Sequence, residues 1–191
     1  MKTPLRAALT AAILFAAAPS NADALHDRLP ACVSCHGDKG DSPNPDTPSL
    51  GAQQSAYALT QLYMFREKLR KSDVMNQMAQ GLSDDDLRAF GDYIAKLPAP
   101  PPVAGAEDAA RFARAKDLVA KNRCNSCHTP NFAGQDQVPR IADQREDYLL
   151  KALREYKSGV RTGYDATMAE VVAPLQDQDF ADLAYYLARV H

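Results

Sequence analysis

The sequence predicts an all-α protein built from two small domains in tandem. Three observations carry this prediction. Apolar residues recur at helical spacing wherever a period can be read, strand signals are almost absent, and the second half of the chain repeats the first. A length of 191 residues permits one mid-sized domain or two small ones, and the repeat favours two.

Residues 1–24 are typical of an export signal. Lys2 and Arg6 give a positively charged start, and residues 7–18 form a short apolar stretch. The sequence Ala-Asp-Ala at 22–24 has the small-x-small form that signal peptidase accepts, so we expect cleavage after Ala24, with Ala22 as the alternative. A retained membrane anchor is the competing interpretation, but the apolar run is shorter than the roughly 20 residues of a spanning helix. The mature chain is therefore expected in the periplasm.

The charge of the mature chain argues against nucleic acid as a partner. Removal of residues 1–24 leaves 20 basic and 23 acidic side chains, a net charge of −3. Proteins that bind nucleic acid typically carry a basic patch and a basic balance. We therefore predict no nucleic-acid partner.

Two copies of one motif, CVSCH at 32–36 and CNSCH at 124–128, use all four cysteines of the chain. A redox dithiol, a zinc site and a covalent haem site share this spacing, and export makes a simple disulfide the plainest alternative. A disulfide leaves the histidine after each pair unexplained. Thioether attachment of haem needs both thiols and takes the adjacent histidine as an iron ligand. We predict two covalently bound haem c groups, with thioethers at Cys32, Cys35, Cys124 and Cys127 and iron ligands at His36 and His128.

The repeat extends well beyond the cysteines. The haem motifs match at an offset of 92 residues, TPSLGAQQSAYALTQL at 47–62 matches VPRIADQREDYLLKAL at 138–153 at 91, and the segments at 82–97 and 175–190 match at 93. Between the copies, the prolines of LPAPPPVAGAED forbid a continuous helix and favour an extended connection. The predicted division is an N-terminal domain at 25–97, a Pro-rich linker at 98–105 and a C-terminal domain at 106–191.

The closing helix of each copy has the clearest periodicity. In the first copy it follows Ser83, an expected N-cap, and places three aspartates in the positively polarised first turn. In the second copy, residues 106–121 predict a helix that packs against the final one. The apolar positions concerned are Leu87, Phe90, Ile94 and Leu97 in the first copy, and Phe112, Ala115, Leu118, Val119, Phe180, Leu183, Leu187 and Val190 in the second.

A methionine is the predicted second iron ligand in each copy, and it would raise the reduction potential and close the iron to other ligands. Met168 is the only methionine of the second copy and stands 7 residues before its closing segment. Met75 has the same spacing in the first copy, so the repeat selects it. Met78 is the reserve candidate, and Met64 lies in a helical stretch where core packing is expected.

A proline follows each haem histidine at similar spacing. Pro48 stands 12 residues after His36, and Pro139 stands 11 residues after His128. A backbone carbonyl near each proline would accept the ring N–H of the histidine and fix its orientation. An ordinary turn proline is the alternative.

Two basic groups occupy equivalent stretches of the copies. They would meet acidic partners or haem propionates, but a solvated helix end is the favoured interpretation, because cations are stabilised near a helix C-terminus. The groups are Arg66, Lys68, Arg70 and Lys71 in the first copy and Arg154, Lys157 and Arg161 in the second.

The segments CVSCHGDKGDSPNPDTPSLGAQ and VMNQMAQGLSDDDL, repeated in weaker form, resemble the periplasmic dihaem cytochromes c of the cytochrome c4 type over nearly the whole mature chain. The resemblance implies two class I cytochrome c domains with their haems near the domain interface. It also implies histidine–methionine ligation at both irons, by His36 with Met75 and by His128 with Met168. One departure is the stretch before Cys32: only residues 25–31 precede it in the mature chain, too few for the N-terminal helix usual in the family.

The function implied is electron transfer without catalysis. We expect electrons to pass one at a time between respiratory-chain or dehydrogenase donors and a terminal oxidase or reductase. The partners are redox proteins, with peripheral association at a membrane oxidase or reductase. The alternative is an electron-accepting subunit of a dehydrogenase, as in flavocytochrome c sulfide dehydrogenase. A haem enzyme such as a peroxidase is a third interpretation, disfavoured by the methionine in each copy.

Overall fold

The structure is a computed structural model that describes residues 21–103, 105, 107–162 and 166–190, with side chains from residue 25 onward. Most of the predicted signal peptide, residues 1–20, lies outside the described residues. The described part contains nine helices and, apart from one isolated bridge between Gln135 and Val138, no β-structure. The all-α prediction is confirmed. None of the helices described is long and apolar enough to cross a membrane.

Four helices form the N-terminal domain around a small apolar core. The second helix packs against both the third and the fourth, and the first packs against the fourth. The bounds are α1 Asn21–His36, α2 Ser55–Arg66, α3 Asp73–Ala79 and α4 Asp84–Lys96. The buried core residues are Phe65, Ala79, Leu82, Leu87 and Phe90.

The closing helix α4 has the predicted start and the predicted buried face. The Ser83 hydroxyl accepts a hydrogen bond from the backbone N–H of Asp86 at 3.1 Å, and the Asp86 carboxylate accepts one from the backbone N–H of Ser83 at 2.8 Å. Leu87, Phe90 and Ile94 are buried. Leu97, the fourth residue of the predicted apolar face, is the C-cap residue of α4 and is half-buried.

The first haem motif lies on a longer helix than its counterpart. Helix α1 runs unbroken into CVSCH, whereas the second domain interrupts its helix at Arg123, whose φ of 54° is left-handed. After the predicted cleavage, residues 25–36 of α1 would remain. Arg28 holds this segment in place, because its guanidinium donates to the carbonyls of Met78 and Gln80 at 3.2 Å each.

Five helices form the C-terminal domain. Helix α5 begins three residues later than predicted, because the Asp108 side chain accepts the backbone N–H groups of Ala110 and Arg111 and so caps the helix there. The bounds are α5 Ala109–Asn122, α6 Cys124–His128, α7 Glu146–Ser158, α8 Thr167–Val172 and α9 Asp177–Leu187.

Helix α9 is the centre of the second core, with α5 on one side and α7 on the other. The predicted contact between α5 and α9 is confirmed by the ring of Phe112, whose centroid lies 4.7 Å from that of Tyr186. Tyr186 also meets Phe132 edge to face at 5.9 Å. Helix α9 ends at Leu187, so Val190 lies beyond it but still packs against the core.

Candidate functional site

Each CxxCH motif places one cysteine against a core and one at the surface. Cys32 and Cys124 are half-buried, Cys35 and Cys127 are exposed, and all four are free thiols. Burial raises the pKa of the Cys32 and Cys124 thiols. The neutral thiol is therefore favoured at these two half-buried positions. Each motif thus presents one thiol beside the core and one at the surface.

The two histidine rings are buried and held in one orientation by backbone carbonyls. Nδ1 of His36 lies 2.8 Å from the carbonyl oxygen of Pro48, and Nδ1 of His128 lies 2.9 Å from that of Pro139. Burial lowers the pKa of both histidines, which favours the neutral ring. Because a carbonyl only accepts, the proton is on Nδ1 and the Nε2 lone pair is available.

These donors fit a covalent haem. In both domains a buried imidazole directly follows a CxxC pair, and its Nδ1 is hydrogen-bonded to a carbonyl. No described residue donates a hydrogen bond to either Nε2. Among the residues described, no group of three or more His, Cys, Asp and Glu side chains is arranged to hold a metal ion directly. The donor set is therefore one that an iron porphyrin completes.

The four methionines of the two domains differ in burial. Met75 lies in α3 and packs partly buried against the core that includes Cys32, and Met168 lies in α8 and packs against the second core. Met64 is buried, with 4% of its surface exposed, whereas Met78 is 37% exposed. The structure therefore places one half-buried methionine beside each core.

The predicted basic groups combine paired arginines with exposed lysines. Arg66 pairs with Asp84 at 2.8 Å, and Arg154 pairs with Asp177 at 2.6 Å. Lys157 donates to a backbone carbonyl. The arginines are thus paired within the fold, whereas Lys68 and Lys71 lie exposed after the end of α2.

Arg161 is the most deeply buried of these cations, with 5% of its surface exposed. Its guanidinium donates to the hydroxyl groups of Tyr57 and Tyr148, at 2.8 and 3.1 Å, and Arg70 donates to Tyr148 at 3.2 Å. Burial raises the pKa of Tyr57 to about 12. Although burial acts in the same direction on Tyr148, Arg161 and Arg70 outweigh it and lower that pKa to about 8. No carboxylate among the described residues pairs with Arg161.

Two further groups at the domain interface were given no role from the sequence. Gln53 and Gln144 are buried and bond to the backbone of the opposite domain. Tyr57 and Tyr148 join the Arg161 cluster. The signal that pointed to all four was the repeat, which pairs each residue with an identical one at an offset of 91.

Comparison with known proteins places both domains in one family. A model of the family described as Cytochrome c matches residues 22–98 and 112–191, one match in each domain. The chain is 29% identical to cytochrome c4 of Pseudomonas aeruginosa over 84% of each chain. It is 30% identical to a thiosulfate dehydrogenase electron acceptor of Thiomonas intermedia, over 97% of this chain and 91% of that protein.

The fold is similar to a solved structure of the same kind. The crystal structure of reduced recombinant cytochrome c4 from Pseudomonas stutzeri superposes with a TM-score of 0.78 at 29% identity, covering 89% of this chain and 98% of that one. The likeness therefore includes both tandem domains and not one alone. The chain belongs to the cytochrome c family, as a dihaem electron-transfer protein of the cytochrome c4 type.

Proposed function

We propose that this chain is an exported one-electron carrier in which His36 and Met75 ligate the first iron and His128 and Met168 ligate the second. The observation that carries the proposal is the duplicated histidine geometry. Each ring is buried, is fixed through Nδ1, and follows a CxxC pair directly. That combination suits covalent attachment through both thiols and iron ligation through Nε2.

When bound, each haem supplies an iron that changes between the ferrous and ferric states. The residues of the chain make that change reversible. Pro48 and Pro139 keep each histidine ring in place and make it a more basic ligand through the Nδ1 hydrogen bond. Met75 and Met168 would supply the second protein ligand of each iron and so keep small molecules from it, and the apolar cores would keep water away. No bond of a substrate is broken, so the proposed role is non-catalytic.

Arg161 and Arg70 supply the charge that haem carboxylates require. A buried cation without a carboxylate partner is costly, and an anionic group at the same place relieves that cost. Arg161 is buried between tyrosine hydroxyls at the domain interface. We assign this cluster to the propionates of the haem groups.

The cellular setting follows from the proposed export signal at residues 1–24. The carrier would act in the periplasm, between donors in the respiratory chain or a dehydrogenase and a terminal oxidase or reductase as acceptor. Its partners would be redox proteins, met in solution or at the membrane surface. The slightly acidic mature chain supports a protein partner over nucleic acid.

A role as electron-accepting subunit of a dehydrogenase is the second candidate. It is favoured by the 30% identity, over nearly the whole chain, to a protein named as a thiosulfate dehydrogenase electron acceptor. The two roles differ in whether the chain stays bound to a partner. A subunit would keep one enzyme beside it through purification, whereas a carrier would leave each partner after one exchange.

The native mass of the haem-bearing protein separates the two roles. Periplasmic and membrane extracts of the host would be run through size exclusion while the red absorbance is followed. A species near the single-chain mass supports the diffusible carrier. Co-elution with a dehydrogenase would replace the carrier with the subunit, and a protein without covalently bound haem would overturn both.

A further inference from the structure

Two buried glutamines cross the domain interface in equivalent ways. Gln144 Oε1 accepts the backbone N–H of Ser49 at 2.8 Å, and Gln144 Nε2 donates to the carbonyl of Ser49 at 2.8 Å. Gln53 repeats the arrangement on Arg140, with bonds of 2.7 and 3.0 Å. Each glutamine therefore uses both ends of its amide on a single residue of the other domain.

The residue that each glutamine holds directly follows the proline beside the haem histidine. The peptide unit between Pro48 and Ser49 consequently makes two bonds in opposite directions. Its carbonyl accepts Nδ1–H of His36 at 2.8 Å, and its N–H donates to Gln144. This single peptide unit connects the histidine of one domain to a side chain of the other.

The second domain has the same arrangement with the roles exchanged. The peptide unit between Pro139 and Arg140 accepts Nδ1–H of His128 at 2.9 Å through its carbonyl. Its N–H donates to Gln53 of the first domain. The duplication is therefore not limited to the haem motifs. Each domain supplies one glutamine that binds the peptide unit whose carbonyl holds the histidine of the other domain.

A peptide whose N–H donates a hydrogen bond carries more negative charge on its carbonyl oxygen, because successive hydrogen bonds polarise one another. A stronger acceptor draws the Nδ1 proton of histidine further and makes the ring a more basic ligand. A more basic ligand stabilises the ferric state over the ferrous one. The glutamine of one domain is thus placed to lower the reduction potential of the iron in the other.

We propose that Gln144 and Gln53 are positioning residues that act crosswise: Gln144 tunes the first iron through Pro48 and His36, and Gln53 tunes the second through Pro139 and His128. The inference rests on the proposed role of the two histidines as iron ligands. It makes the interface part of each ligand environment. Separation of the domains would accordingly raise both potentials.

The test uses the dihaem protein and the substitutions Gln144→Met and Gln53→Met. Each removes the two amide bonds to the other domain, and a local bond to the next backbone N–H, while keeping the side-chain length. Gln144→Met is expected to lower the ferric-to-ferrous ratio of the first iron about threefold at a fixed potential. For a one-electron couple this is roughly 28 mV, at 59 mV per tenfold change. Gln53→Met is expected to act equally on the second iron. The other iron in each variant should move much less.

The control is Thr60→Val. The Thr60 hydroxyl donates to Gln137 Oε1 across the same interface at 2.6 Å but touches neither peptide unit. Spectroelectrochemistry gives the two potentials, and the haem methyl resonances of the ferric protein assign each potential to its iron. If the glutamine variants and Thr60→Val shift both irons alike, the effect is general loosening of the interface and the crosswise inference is wrong.

Two further observations keep the test decisive. If Gln144→Met does not fold, Gln144→Glu takes its place. This substitution keeps an oxygen for the Ser49 N–H and is expected to lower the reduction potential of the first iron more than that of the second. An equal drop at both irons contradicts the inference. The paramagnetically shifted ring protons of His36 and His128 in the unaltered protein test the ligands themselves. If those protons are absent, the proposed ligation fails, whereas their presence with unmoved potentials removes only the glutamine coupling.

Discussion

The guanidinium of Arg161 donates a 2.8 Å hydrogen bond to the hydroxyl of Tyr57, although the two residues are 104 positions apart and belong to different domains. Arg70 makes the reverse crossing, from the first domain to Tyr148 of the second. The interface is therefore built from cations and phenols as well as from the paired glutamines. Arg161 is buried there, so its bonds are shielded from water and salt.

Loss of Arg161 should destabilise the protein far more than loss of an exposed arginine. Arg161→Gln removes a buried cation together with its two hydrogen bonds, and leaves the hydroxyl groups of Tyr57 and Tyr148 with fewer partners. We expect this loss to cost about 2 to 4 kcal/mol in the free energy of unfolding. Arg154→Gln is the control, because its pair with Asp177 is at the surface and should matter little. Denaturant titration followed by circular dichroism at 222 nm measures both. Equal losses in the two variants would contradict the structural importance of the cluster.

Carbon monoxide tests the methionine ligands. Reduced protein with methionine on both irons should resist it, whereas Met75→Ala and Met168→Ala should each bind about one equivalent, because each opens one iron. Met78→Ala is the control, since that side chain is 37% exposed and lies in the same helix as Met75. Optical titration of the dithionite-reduced protein counts the sites. Binding by Met78→Ala in place of Met75→Ala would move the first ligand to Met78.

Local features of the fold were predictable from the sequence where the signal itself was local. The cap formed by Ser83 and the apolar face of α4 depend on residues a few positions apart, and both have the predicted form. The start of α5 was predicted three residues early, because the helical period continues upstream of the point where Asp108 caps the helix. The two copies also differ in the helix before the haem motif, because α1 is continuous whereas α5 ends at the left-handed Arg123. The repeat predicts the same structure in both copies, since the backbone conformation of one residue leaves no periodic pattern in the sequence.

The interface was not predictable in the same way. The identity of Gln53 with Gln144 marked both positions as part of the repeat, but nothing local shows that each side chain bonds to the other domain. Such contacts depend on how the two domains are placed, which periodicity does not encode. The same holds for Arg161, whose sequence neighbours are those of an exposed helix end although the side chain is buried.

The cap of α4 gives a small and well-defined stability prediction. Ser83→Ala removes the acceptor for the N–H of Asp86 and one of the donors to its carboxylate, and should cost about 1 kcal/mol in the free energy of unfolding. Ser158→Ala is the matched control, because the Ser158 hydroxyl donates only to a carbonyl at an exposed helix end. Its effect should stay within about 0.5 kcal/mol. A larger loss for Ser158→Ala would show that the capping geometry is not what sets the difference.

Asp182 holds the two main helices of the second core together. Its carboxylate is 2% exposed and accepts hydrogen bonds from Arg114 at 2.7 Å and Arg111 at 3.2 Å, both on α5. The hydrogen bonds from Arg114 are the largest influence on its pKa, which lies below the ordinary value for aspartate. The contact joins α5 to α9 beside the aromatic pair formed by Phe112 and Tyr186.

The depressed pKa of Asp182 predicts a specific dependence of stability on pH. A carboxyl group with a lower pKa in the folded state contributes stability that is fully present above the unfolded value, about 3.9, and is lost as the pH falls through the folded value. Asp182→Asn should therefore cost about 1.5 to 3 kcal/mol at pH 7, and the deficit should shrink below about pH 4. Urea titrations at pH 7, 5 and 3.5, with Asp177→Asn as the surface control, measure this. Because an amide does not titrate, a deficit that stays constant down to pH 3.5 would show that Asp182 contributes through shape and not through its charge.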